Sequence, residues 1–268
     1  MKIKNLTIFT IAIAILCTAA RTVTLLYATE AGTGFFISRL SDIGVALSIS
    51  IFLLVLIALI FSFSAKEKAK QGFTLSKISG AVSVILGIAI LSYSLGLGSH
   101  SYLLSWQHTL ETVTGILSSL WFMAYGVSAF VDITLPAITA IFPCIHSIMR
   151  LIVVFGTFST SALVAEHVFS LAYHVSVMLF MLYFGRIVAS VPQKKSGKTF
   201  FPVTVCAFIF TCTSVFSRLL MLFLSKTEMI HGETALDITG IVLSVFMLSA
   251  AADICKEEKE EIPDDIQC

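Results

Sequence analysis

The stretch PAITAIFPCIHSIMRLIVVFGTFSTSALVAEHVFSLAYH, Pro136–His174, decides the fold. It is an apolar run carrying Pro143, His146 and Arg150, a short polar turn, and a second apolar run that carries Glu166, His167 and His174. An ionisable side chain at the centre of a membrane helix costs about 2.5–3.5 kcal/mol on insertion scales. A hairpin that holds several of them is a place where a chain keeps its chemistry.

The rest of the sequence supports lipid as the solvent. Of 268 residues 57% are hydrophobic and 12% charged, against about 25% charged in a soluble domain. The mean hydropathy is +0.97. No soluble core could hide so much apolar surface. The net charge of +1 carries no information about partners, and no basic stripe interleaved with aromatics points to nucleic acid.

Apolar windows fall near 5–27, 43–64, 79–98, 112–131, 136–157, 163–190, 200–224 and 236–254. Each is long enough to span a bilayer as a helix. The expected fold is all-α: a polytopic bundle of about eight transmembrane helices forming one domain over 1–254, followed by a short charged tail over 255–268. The third window has the lowest helix propensity, because of Gly87, Gly96 and Gly98. Lys2 and Lys4 before an apolar run resemble the start of a signal peptide. The run continues to about Tyr27, so an uncleaved first helix is expected.

Lysines and arginines set the expected orientation. With the N-terminus inside, twelve fall on cytoplasmic segments: Lys2, Lys4, Lys66, Lys68, Lys70, Lys77, Arg186, Lys194, Lys195, Lys198, Lys256 and Lys259. Only Arg39 and Lys226 fall outside. This bias places both termini in the cytoplasm, the membrane being the cell membrane. It also requires an even number of spans.

Three basic residues lie within spans: Arg21, Arg150 and Arg218. Read back at helical offsets, each heads a stripe of small or polar residues or proline. The stripes are Cys17, Ala14, Thr10 and Thr7; His146, Pro143, Thr139 and Pro136; and Ser214, Thr211, Ala207 and Thr204. Such faces suit helix–helix contact in membranes. The even-numbered helices each begin with a carboxylate, Asp42, Glu111, Glu166 or Asp237. This pattern suggests pseudo-repeated helical hairpins, as in transporter folds. An acid in a first turn also caps a helix and complements its dipole, so Asp42, Glu111 and Asp237 need no further role.

Pro143 removes a backbone donor, so a kink is expected there. His146 and His174 approach mid-depth from opposite ends, and Glu166 is the carboxylate nearest Arg150 in sequence. The candidate ligand or ion pathway is therefore Arg21, His146, Arg150, Glu166, His174 and Arg218, open to a small anionic solute or a proton. No cofactor is expected. The histidine spacing matches no metal motif, and the six cysteines form no CxxC. No Walker, GxSxG or dinucleotide motif marks an enzyme. The sequence points to a small-solute or ion transporter with a polar site toward the extracytoplasmic side. A membrane-embedded sensor or assembly subunit is the alternative.

Overall fold

The computed structural model of the chain describes residues 3–30, 35–63, 75–97, 105–131, 133, 135–158, 165–190, 196–226 and 234–254. Side chains are described for all of these except positions 3, 4, 97, 105, 108, 157, 158, 165, 166, 196–198 and 234–237. The tail over 255–268, the polar connections near 64–74 and 191–195, and the side chains of Glu166 and Asp237 thus lie outside the description.

The described chain is a helical membrane bundle. Its helices are α1 Ile3–Val23, α2 Ser41–Phe63, α3 Lys77–Ser92, α4 Ser105–Val131, α5 Ile141–Phe158, α6 Ala165–Val188, α7 Ser196–Phe223 and α8 Thr234–Ile254. Seven of them, some with the turns that adjoin them, are long and apolar enough to cross a membrane, and α8 adds the shorter apolar helix Ile238–Ile254. Helices are what a bilayer allows, because lipid offers no partner to an open backbone N–H or C=O. Where an end is irregular, the sequence supplies a device. Ser76 caps α3, its Oγ accepting from the Ser79 N–H at 3.3 Å, while Asp253 of α8 takes the Ser76 N–H at 2.8 Å. Beyond α3 a π-helical turn, Tyr93–Leu97, ends on Gly96 at φ 86°, a left-handed conformation that glycine adopts without strain.

Six helices close a ring. Packing runs α3–α4, α4–α5, α5–α6, α6–α7 and α7–α8, and α8 returns to α3. The α1–α2 hairpin stands outside this ring and docks on α7. Ring neighbours in α3–α4–α5 are antiparallel, as shown by contacts that climb one helix while descending the next. Ser83 Oγ donates to the Phe122 carbonyl at 2.8 Å, nearer one end of the α3–α4 pair, and Tyr93 meets Glu111 nearer the other. Trp121 Nε1 donates to Thr139 Oγ1 at 3.0 Å, and Thr114 lies 3.5 Å from His146 Nδ1 on the same α4–α5 pair.

The tightest seam is α3–α4. A Cβ on Gly80 would sit 2.8 Å from the Gly126 carbonyl oxygen, and one on Gly87 would sit 2.7 Å from the Ser119 carbonyl oxygen. Glycines that lower the helix propensity of the third span are therefore what lets two backbones touch, the usual device for packing in lipid.

The ring interior has two halves. Toward the end where α3 begins and α8 finishes, it is filled with aromatic side chains. Phe122, Phe180, Phe184 and Phe246 are all 1% exposed or less. Their rings meet edge-to-face, Phe122–Phe246 at 5.4 Å and Phe184–Phe246 at 5.3 Å, with Trp121 and Tyr125 stacked beside them at 4.8 Å. Centroid separations of this size are favourable geometries for aromatic quadrupoles. Toward the other end the interior opens into a cavity whose surface is mostly apolar, with His146, Arg150 and His174 set in its wall.

One local expectation changes. α4 starts at Ser105, so Glu111 sits well past the first turn and is not a cap. The polar residues Gln107, Thr109 and Glu111 lower the local hydropathy and hide the helix start from an apolar window. At Pro143 the irregularity precedes the proline: a 3-10 turn, Ala137–Ala140, leads into α5, and Pro143 is the third residue of that helix. Proline is tolerated in a first turn, where the N–H has no intrahelical partner to lose.

Candidate functional site

The cavity wall comes from five ring helices. α3 and its π turn supply Leu86, Ile90 and Tyr93, and α4 supplies Ser118 and Phe122. α5 contributes Pro143, His146, Ser147 and Arg150; α6 and α8 complete it with residues that include His174 and Thr239. The space open to water centres is about 60 Å³, room for several waters at about 10–15 Å³ each or for a solute of a few heavy atoms.

Arg150 is the charged centre of this wall. It is 8% exposed. Its Nη1 donates to Tyr93 Oη at 2.6 Å and to Glu111 Oε1, with which it forms a buried ion pair. The Tyr93 hydroxyl lies 3.4 Å from the same carboxylate oxygen, and the guanidinium stands 4.9 Å from the Tyr93 ring centre. A buried charge needs a partner of this kind, because desolvation costs several kcal/mol for each ion. Glu111 is 3% exposed, and its second oxygen, Oε2, is buried with no hydrogen-bond partner among the described residues.

The helix register explains why Glu111 meets Arg150. α4 and α5 are antiparallel neighbours, so contacts that descend α4 climb α5. Trp121 with Thr139, Thr114 with His146 and Glu111 with Arg150 are successive rungs of the same hairpin. Glu166, the carboxylate that sequence proximity suggested for Arg150, has its side chain outside the description. Among the described residues the carboxylate on Arg150 is Glu111.

The histidines share the wall. His146 packs beside Gly115, where a Cβ would come within 3.2 Å of the imidazole Cε1. His174 is 7% exposed, stacks its ring 4.6 Å from that of Tyr173, and lies within electrostatic reach of Arg150, Arg218 and His146. Among the described residues no group of three or more histidines, cysteines or acids comes together as a metal cluster would require.

The other two arginines stand apart from the cavity wall. Arg21 is 2% exposed, and its guanidinium lies 4.3 Å over the ring of Phe169 in α6. Arg218 of α7 is also buried and near His174. Their stripes do face protein: Thr10, Ala14 and Cys17 on α1, and Thr204, Ala207, Thr211 and Ser214 on α7, are buried. The threonine hydroxyls bond carbonyls of their own helix, as Thr10 does with Leu6 at 2.8 Å and Thr211 with Ala207 at 2.7 Å. With these hydroxyls turned to their own helix, the buried stripe residues serve close packing.

Sequence reading missed Tyr93, Ser118, Tyr173 and Thr239 as cavity residues and took Glu111 for a cap. Tyr93 carried a faint signal, a tyrosine just before two glycines at a helix end. Ser118 and Thr239 carried none, since serine and threonine are scattered through every span. No protein-family model matches the sequence, and no curated protein or solved structure matches it either.

Proposed function

We propose that the ring α3–α8 is the transport unit of a small-solute or ion permease, and that its cavity holds a small anionic solute beside Arg150. The observation that carries this reading is a cavity lined by five helices of a membrane bundle, with a buried guanidinium and two histidines on its otherwise mostly apolar wall. Ionisable groups within membrane helices mark solute and ion pathways, because few other roles offset their cost. The aromatic packing fills one half of the ring, so the cavity is served from the opposite end. With the lysine bias placing both termini in the cytoplasm of a cell-membrane protein, that end is extracytoplasmic.

The test has two stages. Purified protein is heated in the presence of formate, methanesulfonate, nitrate, inorganic phosphate or chloride, and a bound anion should raise the melting temperature by mass action. The stabilising anion is then followed into proteoliposomes, where Arg150→Gln should abolish uptake. Stabilisation without uptake would favour the second reading, a sensor or assembly subunit. The peripheral α1–α2 hairpin, which docks on α7 without lining the cavity, suits that reading. No stabilisation by any of the five would remove the anion site.

A further inference from the structure

Resting on the anion-site reading, we propose that a small oxyanion entering the cavity takes over the Arg150 and Tyr93 donors now held by Glu111, and that Glu111 accepts one proton as it lets go. Anion and proton would then bind as a pair.

Three observations lead there. Arg150 and Tyr93 line the cavity, whereas Glu111 is buried and not part of the lining. An incoming anion thus meets the two donors from the open side while the carboxylate holds them from the protein side. Second, both donors converge on one carboxylate oxygen, Oε1, at a site where Tyr93 Oη is also 2.6 Å from the guanidinium. A planar guanidinium offers a fork that matches an oxyanion as well as a carboxylate. Third, Oε2 is buried with no hydrogen-bond partner among the described residues, so nothing there would hold the carboxylate charge once Oε1 lost its donors.

Charge conservation supplies the coupling. Among the described residues the unliganded site pairs one guanidinium with one carboxylate. Adding an anion brings one more negative charge into a buried volume, and desolvated charge without a partner is disfavoured. If a proton from water forms an O–H bond on Glu111, the site again holds one positive and one negative charge. No other bond is made or broken. The competing proton acceptors that face this cluster are His146 from α5 and His174 from α6, with Arg218 of α7 adding positive charge near His174; the phenols of Tyr93, on the turn after α3, and Tyr173, from α6, already carry their proton and accept none.

The test titrates the detergent-solubilised protein with formate, methanesulfonate and nitrate, which all stay ionised across neutral pH. Any proton taken up therefore goes to the protein. Calorimetry in buffers of different ionisation enthalpy should count about one proton per anion, and affinity should weaken about tenfold for each pH unit through the neutral range. In Glu111→Gln, binding should release or take up no proton, with affinity changing less than about twofold over the same range. Glu111→Asp keeps a titrating carboxyl and should retain the slope, which covers the case in which the Gln variant does not fold. His146→Gln and His174→Gln should keep it as well.

Binding of an anion by wild-type protein with no proton uptake would overturn the exchange and leave the anion site standing. A slope that persists in Glu111→Gln and disappears in a histidine variant would overturn it too, by moving the proton elsewhere. Failure of all three anions to bind would remove the anion site and the exchange together.

Discussion

Breaking a buried ion pair from one side leaves the other charge in a low-dielectric interior, which costs about 3–5 kcal/mol. Arg150→Gln and Glu111→Gln should each lose stability on that scale, and the double variant should lose less than the sum of the two. Denaturation of the three variants in mixed micelles gives the cycle; additive losses would show that the two side chains do not pair. The arginines should also differ in their tolerance of lysine. Arg21 lies over a ring face, a contact that an ammonium also makes, so Arg21→Lys should shift the melting temperature little. Arg150 bonds a tyrosine hydroxyl and a carboxylate at once, and Arg150→Lys should cost clearly more. The need for a partner was legible from the depth of Arg150 in its span. Glu111 was not read as that partner, because nearness in sequence pointed to Glu166, whose side chain lies outside the described residues. The α4–α5 register, set by the Trp121–Thr139 and Thr114–His146 contacts, is what brings Glu111 to Arg150.

At the scale of elements, the glycines of α3 and α4 and the proline of α5 make opposite predictions. Gly87→Leu or Gly126→Val would push a side chain into the facing backbone, and overpacking of this kind costs about 1–3 kcal/mol or more. Pro143→Ala, in the first turn of its helix, should cost no more than about 1 kcal/mol, for want of an intrahelical bond to restore. Thermal melts of the purified variants check both. A large loss at Pro143 with none at the glycines would contradict the packing described. Helix positions were largely legible, since length and apolarity are what a bilayer selects. The role of glycine was not: a propensity scale counts Gly87 as a weakness, and its use in packing shows only when the facing helix is known.

For the whole molecule, the lysine distribution predicts labelling. Single cysteines at Gly72 and Gly197 should be shielded from an impermeant thiol reagent in intact cells, and those at Gly32, Ser101 and Gly232 should react, once the native cysteines are removed. Reaction at Gly197→Cys with shielding at Gly232→Cys would invert the orientation and turn the cavity toward the cytoplasm. The bundle was legible from hydropathy, and its closure was not. A list of spans does not say that α8 returns to α3, or that the first two helices stand aside. Those facts depend on contacts between segments far apart in the chain.

The place of the α1–α2 hairpin has a consequence for the order of assembly. Ribosomes release α1 first, yet its main ring partner, α7, is among the last helices made, and Phe169, which covers Arg21, arrives with α6. For most of synthesis this hairpin must wait in the bilayer with its arginine and threonine faces turned to lipid, water or a chaperone. The ring meanwhile stays open until α8 reaches α3. Nascent chains of this protein are thus at their most vulnerable late in translation, when nearly all the spans are present but α3 and α7 still wait for α8.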